Sequence, residues 1–161
     1  MTYEPDVSLE VAAVEQSALL TNLLQLYLHD LSEAFPIDWN AEGRFDYDKL
    51  PLYWSEPDRR FPFLIKLDAS TVGFALVRLD AHVFDVAEFF VARRYRRSGV
   101  GRAAAFLLWD RFTGPWTVRV LEKNQGALSF WTGAVAGYTN GTAQELHRTD
   151  AAGQWRVFSF G

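Results

Sequence analysis

The sequence predicts a mixed α/β domain, and three observations support this prediction. Helical and strand-like segments follow one another as helix, three strands, helix, strand, helix and two strands. Of the 161 residues, 49% are apolar, which is enough for a sizeable core. A basic loop with two glycines lies between the third strand and the second helix. We expect residues 1–161 to form a single domain.

The first half of the chain predicts one helix and three strands. Leucines recur at helical spacing over residues 16–33, and Pro36 ends this helix. The stretch 37–60 is irregular, with one short helix near residues 47–53. Apolar runs then predict strands over 61–67, 71–79 and 83–91. The short turn between the first two of these strands favours antiparallel pairing.

The second half predicts two helices and three strands. A helical run extends over residues 102–112, and a strand follows over 116–121. Asn124 is suited to cap the next helix, which we expect to close at Gly137. The last two strands are predicted over 142–148 and 154–160.

Composition excludes several classes of protein. The chain has no cysteine, so disulfides, Cys-ligated metals and a Cys nucleophile are excluded, and we predict no metal site. The N-terminus has no basic segment followed by an apolar run, and no stretch approaches the roughly 18 apolar residues of a membrane span. We therefore expect a cytoplasmic protein without a membrane partner.

Charge is distributed unevenly around a net value of −4. Twelve acidic residues precede residue 59, opposed only by Arg44 and Lys49. Five arginines then crowd one short stretch: Arg93, Arg94, Arg96, Arg97 and Arg102. This asymmetry indicates two partners of opposite charge, although a solvated acidic surface explains the first third equally well.

The basic loop predicts a diphosphate site. A strand leads into the arginines, and Gly99 and Gly101 then open a helix. Backbone N–H groups at a helix N-terminus have no intrahelical partner and attract anions. Since glycine has no Cβ, a phosphate can approach the main chain closely.

Two other kinds of ligand fit parts of this pattern less well. The spacing Gly99-x-Gly101-x-x-Ala104 with Glu122 downstream also fits a dinucleotide fingerprint. In that fold the strand runs almost directly into the first glycine, whereas Val91 lies eight positions before Gly99. Nucleic-acid binding through the arginines and Tyr95 is disfavoured by the pI of about 5.3.

The loop resembles the signature of the GNAT acetyltransferase superfamily. That signature is a basic residue or glutamine, two variable residues, glycine, one variable residue, and glycine or alanine, as in Arg96–Gly101. The resemblance extends over residues 84–139, and the string AEFFV…YRRSGVG…FW is similar to a bacterial subgroup of predicted acetyltransferases. The matching downstream residues are Asn124, Ala127, Phe130, Trp131, Gly137 and Tyr138.

The resemblance implies a fold and a cofactor. It implies a mixed, mostly antiparallel sheet with helices on both faces and a V-shaped splay between strands 84–91 and 116–121. Acetyl-coenzyme A would occupy the splay, with its pyrophosphate on the glycine loop. The implied cofactor-binding residues are Phe89, Phe90, Val91, Arg96, Arg97, Ser98, Gly99, Val100, Gly101, Arg102, Asn124, Ala127, Phe130 and Trp131.

Acyl transfer to an amine also needs a base and can use an acid. Glu88 is the favoured base because it lies in an apolar run, with Asp85 as the second candidate. Three positions apart on a regular strand, they face opposite sides unless a bulge intervenes. Family members often carry tyrosine where this chain has Trp131, and Tyr138 is the remaining candidate acid.

The predicted function is N-acetylation of a primary amine by direct attack in a ternary complex. The acceptor is a small molecule or a peptide, and the acidic first third favours a cationic one. The alternative is a non-catalytic sensor that binds coenzyme A or an acyl-coenzyme A. The sequence leaves a homodimer open and predicts no nucleic-acid partner.

Overall fold

The computed structural model describes residues 6–161, which contain seven strands and four helices. The strands are β1 (Val7–Val11), β2 (Arg60–Leu67), β3 (Ser70–Asp80), β4 (Val83–Val91), β5 (Trp116–Leu121), β6 (Gln144–Asp150) and β7 (Gly153–Phe160). The helices are α1 (Ser17–Leu31), α2 (Leu52–Ser55), α3 (Val100–Arg111) and α4 (Gln125–Thr139). Within this range no helix is both long and apolar enough to cross a membrane.

All seven strands form one sheet in the order β1-β2-β3-β4-β5-β7-β6. Neighbouring strands are antiparallel except for β4 and β5, which are parallel. The parallel pairing covers only Phe84 with Trp116 and Asp85 with Thr117. Beyond these pairs β4 and β5 diverge, and a wedge opens between them. The predicted fold class, including the splay, is confirmed.

A bulge in β4 decides which way its acidic side chains face. Val86 pairs with Val77 and Glu88 pairs with Leu76, so Ala87 is an extra residue without a partner on β3. One extra residue reverses the alternation of side chains beyond it. Asp85 and Glu88 therefore lie on the same face of the sheet. A bulge is the one arrangement in which the sequence predicted that both carboxylates would face the same cleft.

The helices cover both faces of the sheet. On one face, Leu20 and Leu24 of α1 and Tyr53 of α2 pack on Phe74 and Phe90. On the other face lie α3 and α4, which contribute Leu108, Trp109, Trp131 and Val135 to the larger core cluster. Burial of this apolar area is the main stabilisation that holds each helix on the sheet.

Three elements differ from the sequence prediction. Strand β1 was missed, because five residues with weak alternation become a strand only by pairing with β2. Helix α2 begins later than expected and has a single turn, since Pro51 favours a helix start. Helix α4 continues past Gly137 to Thr139, and Asn140 caps it in the left-handed conformation with φ 53°.

Candidate cofactor and catalytic site

The loop before α3 presents a row of free backbone donors. The first turn of α3 closes with the bond from Ala103 N–H to the Gly99 carbonyl. In the described part of the chain, the six amides from Arg97 to Arg102 donate to no protein acceptor. Arg97 (φ 60°) and Gly99 (φ 85°) are both left-handed, a conformation that turns successive N–H groups toward one concave site. We call this row the amide nest, and it fits a pyrophosphate.

The end of β4 turns its backbone toward the wedge. Ala92 N–H donates to the Val72 carbonyl on the β3 side, so the N–H and C=O groups of Val91 and Phe89 point the other way. No β5 partner pairs with them. Arg96 Nε donates to the Val91 carbonyl at 2.7 Å. The wedge therefore offers a polar, extended ligand an edge that has no strand partner, although Arg96 already occupies one lone pair of the Val91 carbonyl.

The α3–α4 side of the wedge is closed by aromatic packing. The Phe130 ring stacks on Phe89 with centroids 5.9 Å apart. A Cβ built on Gly101 would lie 3.1 Å from the Phe130 ring, so this glycine is needed for helix packing as well as for ligand approach. Asn124 Oδ1 accepts from Ala127 N–H at 3.3 Å, which confirms the predicted cap of α4.

Two arginines of the predicted cofactor site, Arg96 and Arg102, have structural partners. Arg102 places its guanidinium over the Phe106 ring at 5.1 Å and against Gly137, so its side chain lies between α3 and α4. Only its backbone N–H belongs to the amide nest. Arg96 is held by Asp30.

Asp30 is a functional candidate from the acidic first third of the chain, which the sequence associated as a whole with a cationic acceptor and not with the basic loop. Its carboxylate accepts from Arg93 at 2.6 Å and from Arg96 at 2.7 Å. Burial opposes ionisation of Asp30, but the hydrogen bonds from Arg96 and Arg93 outweigh it and lower the pKa of this carboxyl. Asp30 thus ties the end of α1 to the basic loop across 63 and 66 residues of chain. No local pattern could have revealed this pairing.

Glu88 has the properties of a base near neutral pH. Burial raises its pKa to about 7, although hydrogen bonding from Tyr27 and the charge of Arg119 pull it down. The side chain is only partly buried, so it keeps access to the cleft. A carboxyl with this pKa exchanges a proton readily with groups that titrate near neutrality.

Asp85 is the less favoured base because its oxygens are occupied. It is buried, with 4% of its surface exposed. It accepts from Arg78 at 3.1 Å, from Arg119 at 2.9 and 3.2 Å, and from Thr117 at 3.2 Å. Four hydrogen bonds from three residues occupy its two oxygens, so no lone pair is left free to face an amine.

Tyr138 and Trp131 lie away from Glu88. Tyr138 packs in the core on the α3–α4 face, and its hydroxyl donates to Asp110 at 2.8 Å. Trp131 is 7% exposed and packs edge-on against Phe89, also on that face. The sheet therefore separates the candidate acid Tyr138 from the candidate base, and the geometry gives it no part in proton transfer.

A groove of about 600 Å³ runs between α1 and the segment before α2. Gln25 holds this segment through two 2.8 Å hydrogen bonds to the backbone of Phe45. The groove wall includes Glu42, Arg44, Asp46 and Tyr47. Burial and then the charge of Glu88 raise the pKa of Tyr47, so the inner end of the groove lies within electrostatic reach of Glu88.

The model of the acetyltransferase (GNAT) family matches this chain over residues 21–138. No curated protein matches the chain.

Solved structures with the same fold cover nearly the whole chain at low identity. An acetyltransferase from Thermus thermophilus is 15% identical, with a TM-score of 0.68 over 96% of each chain. A spermidine N-acetyltransferase from Vibrio cholerae, in complex with CoA and spermine, is 10% identical, with a TM-score of 0.68 over 96% of this chain and 94% of that one. A ribosomal-protein alpha-N-acetyltransferase in complex with coenzyme A is 10% identical, with a TM-score of 0.69 over 96% and 93%. The family match, which covers most of the chain, establishes that this protein belongs to the GNAT acetyltransferase family.

Proposed function

We propose that this acetyltransferase moves an acetyl group from acetyl-coenzyme A to a primary amine by direct attack in a ternary complex. The observation that carries the proposal is the position of Glu88. It lies one residue beyond the bulge where β4 and β5 diverge, on the strand that leads to the amide nest. The proposed active site thus joins a base and a diphosphate site within one wedge.

The residues of this chain would bind acetyl-coenzyme A and take the proton from the attacking amine. When bound, acetyl-coenzyme A supplies the activated thioester. The amide nest would hold its pyrophosphate, and the free edge of Phe89 and Val91 would pair with the pantetheine arm. Glu88 would accept the proton of an alkylamine, whose pKa is about 10 in water. A backbone N–H of this edge would be available to stabilise the developing oxyanion.

Acidic residues on the groove favour an acceptor with a second positive group. Asp30 does not add to the negative charge available to the acceptor, because Arg93 and Arg96 neutralise its carboxylate. Glu42 and Asp46 lie on the groove wall, where Arg44 is the one basic residue beside them. The spermidine N-acetyltransferase of the same fold was solved with spermine, a polyamine, which supports a cationic acceptor here.

The first experiment separates an enzyme from a sensor. Coenzyme A and acetyl-coenzyme A should each raise the melting temperature, whereas NAD and NADP should not. Thiol release from acetyl-coenzyme A with a panel of amines then measures turnover. Stabilisation by coenzyme A, with no thiol released from acetyl-coenzyme A whichever amine is added, would favour the non-catalytic module. Stabilisation by NAD alone would contradict the proposal.

Neutralising the groove should weaken acceptor binding through lost attraction. In the double variant Glu42→Gln, Asp46→Asn we expect the acceptor KM to rise several-fold at low salt and to lose its dependence on salt. Exposed charges act over about 10 Å at 0.1 M salt, so added salt should raise the wild-type KM toward that of the variant. The matched control is Asp58→Asn, Asp80→Asn, which removes two exposed acids outside the groove. An unchanged KM in the groove variant would contradict the proposal that the acceptor carries a second positive group.

Tyr27→Phe should move the pH profile of the reaction to higher pH. Hydrogen bonding from Tyr27 lowers the pKa of Glu88, so its loss raises that pKa above about 7. Glu88 then ionises at a higher pH, so the profile of kcat/KM against pH should shift to higher pH by about one unit. The Phe ring keeps the contacts with Phe74 and Phe90.

Tyr138→Phe is the control for this shift. It also removes a hydroxyl from a partly buried aromatic side chain, but on the other face of the sheet. Its pH profile should coincide with that of the wild type. A shift in Tyr138→Phe, with none in Tyr27→Phe, would restore Tyr138 as the titrating group and contradict the assignment of Glu88.

A further inference from the structure

We propose that Asp30 is a positioning residue for the cofactor: by holding Arg96, it keeps the amide nest in the conformation that binds the pyrophosphate. This role rests on the proposed function, because it concerns the same diphosphate site. Asp30 would act through Arg96 and not by contact with the reacting atoms.

The Arg96 side chain is held from three directions. Its Nε donates to the Val91 carbonyl at 2.7 Å, and its Nη2 donates to Asp30 at 2.7 Å. Its guanidinium also lies over the Phe90 ring, 5.7 Å from the centroid. Val91 and Phe90 belong to β4, whereas Asp30 belongs to α1. The Asp30 contact therefore ties the basic loop to a second element of the fold.

The amide nest needs a backbone conformation that most residues avoid. Arg97, which directly follows Arg96, has φ 60°, and this left-handed region is unfavourable for a residue with a Cβ. Such a conformation persists where the surrounding structure holds the chain on both sides. Beyond Arg97, Ser98 Oγ donates to the Tyr95 carbonyl at 2.7 Å. Before Arg97, the anchor is Arg96, so loss of Asp30 would let the nest relax and its N–H groups turn apart.

The last turn of α1 contacts both the proposed base and the loop. Tyr27 and Asp30 are three positions apart and so lie on one side of the helix. Tyr27 donates a hydrogen bond to Glu88 and packs edge-on against Phe90, the ring over which Arg96 lies. One turn of a helix packed on the sheet thus fixes the amide nest relative to the base.

The charge of Asp30 gives the test a distinct sign. Asp30 is an acid in contact with two arginines of a proposed anion site. By charge alone, its removal would free Arg93 and Arg96 and tighten the binding of a diphosphate. A positioning role predicts weaker binding, because apparent affinity falls with the fraction of molecules whose loop is in the binding conformation.

Asp30→Asn is expected to raise the Kd of coenzyme A about five- to tenfold, measured by titration calorimetry. The KM for acetyl-coenzyme A should rise with it. At saturating acetyl-coenzyme A, kcat and the acceptor KM should stay near the wild-type values, because the bound cofactor itself then orders the loop. Asp30→Glu keeps the carboxylate and should recover part of the affinity.

A double-mutant cycle and a matched control assign the effect to the Asp30–Arg96 contact. Arg96→Met should also weaken coenzyme A binding, and adding Asp30→Asn to it should raise the Kd by less than about twofold further. Glu33→Gln removes another acid at the same end of α1, which is exposed and outside the two ion pairs of Asp30. Its Kd should equal that of the wild type.

An unchanged or lower Kd in Asp30→Asn would overturn the positioning role, and a lower melting temperature alone would leave Asp30 only structural. Fully additive losses in the double variant would overturn it as well. The expected Kd pattern without thiol release from acetyl-coenzyme A, whichever amine is added, would contradict the proposed function but not the role of Asp30. A wild type that does not bind coenzyme A would overturn both.

Discussion

Replacing Glu88 by glutamine is expected to lower kcat roughly a hundredfold or more at neutral pH while coenzyme A still binds. The amide keeps the shape of the side chain and the contact with Tyr27, but it cannot accept a proton from the amine. The amide nest lies elsewhere on the wedge, so the rise in melting temperature with coenzyme A should be retained. Thiol release as a function of pH measures the effect, and the deficit should shrink at high pH, where more of the amine is already neutral.

The same variant should change how stability depends on pH. The pKa of Glu88 is about 7 in the folded protein and 4.5 as an ordinary glutamate. Between these values the folded state holds a proton that the unfolded chain has lost, so wild-type stability falls as pH rises through this window. The glutamine side chain of Glu88→Gln does not titrate, so this loss of stability with rising pH is absent from the variant. Its melting temperature relative to that of the wild type should therefore rise from about pH 5 to about pH 8.

Glu33→Gln is the matched control for both effects, because Glu33 is exposed and does not line the groove. It should match the wild type in turnover and in its melting profile. If Glu88→Gln retained full activity, the proton would have to pass to Asp85 or directly to solvent. An unchanged stability profile would place the pKa of Glu88 in its ordinary range.

Gly101→Val is expected to abolish stabilisation by coenzyme A. The new side chain would meet Phe130 at the ring edge, 3.1 Å from the Cβ, and would stand among the donors of the amide nest. The helix must then shift, and the pyrophosphate loses its close approach to the main chain. A ligand at 100 times its Kd stabilises a protein by about 2.7 kcal/mol, and this increment should disappear from the melting curve.

Gly133→Val provides the control, since a Cβ on Gly133 meets nothing within 4 Å. It makes the same substitution in α4 and should retain the response to coenzyme A. A full response in Gly101→Val would show that the pyrophosphate lies elsewhere. A loss in both variants would point to a general effect on the helices and not to the nest.

The sequence alone was sufficient for the local parts of the fold and of the cofactor loop. Helix and strand periods are visible over ten residues or so, which is why most elements were predicted close to their observed bounds. The glycine loop could also be predicted from the sequence, because a helix N-terminus with two glycines is a local property of the chain. The same reasoning missed β1, whose existence depends on a partner about 55 residues away, as Leu9 pairs with Ile65.

What only the tertiary structure decided is how the charged side chains pair. By sequence, Glu88 is favoured over Asp85 only for its apolar neighbours, and a regular strand would place the two acids on opposite faces. The bulge at Ala87 places them on the same face, and arginines from β3 and β5 then hold Asp85 while Glu88 stays partly buried with a raised pKa. Asp30 likewise lies among acids in the sequence but pairs with the basic loop in space. Periodicity determines secondary structure because it is local, whereas a charge acquires its role from neighbours that folding brings from distant positions in the chain.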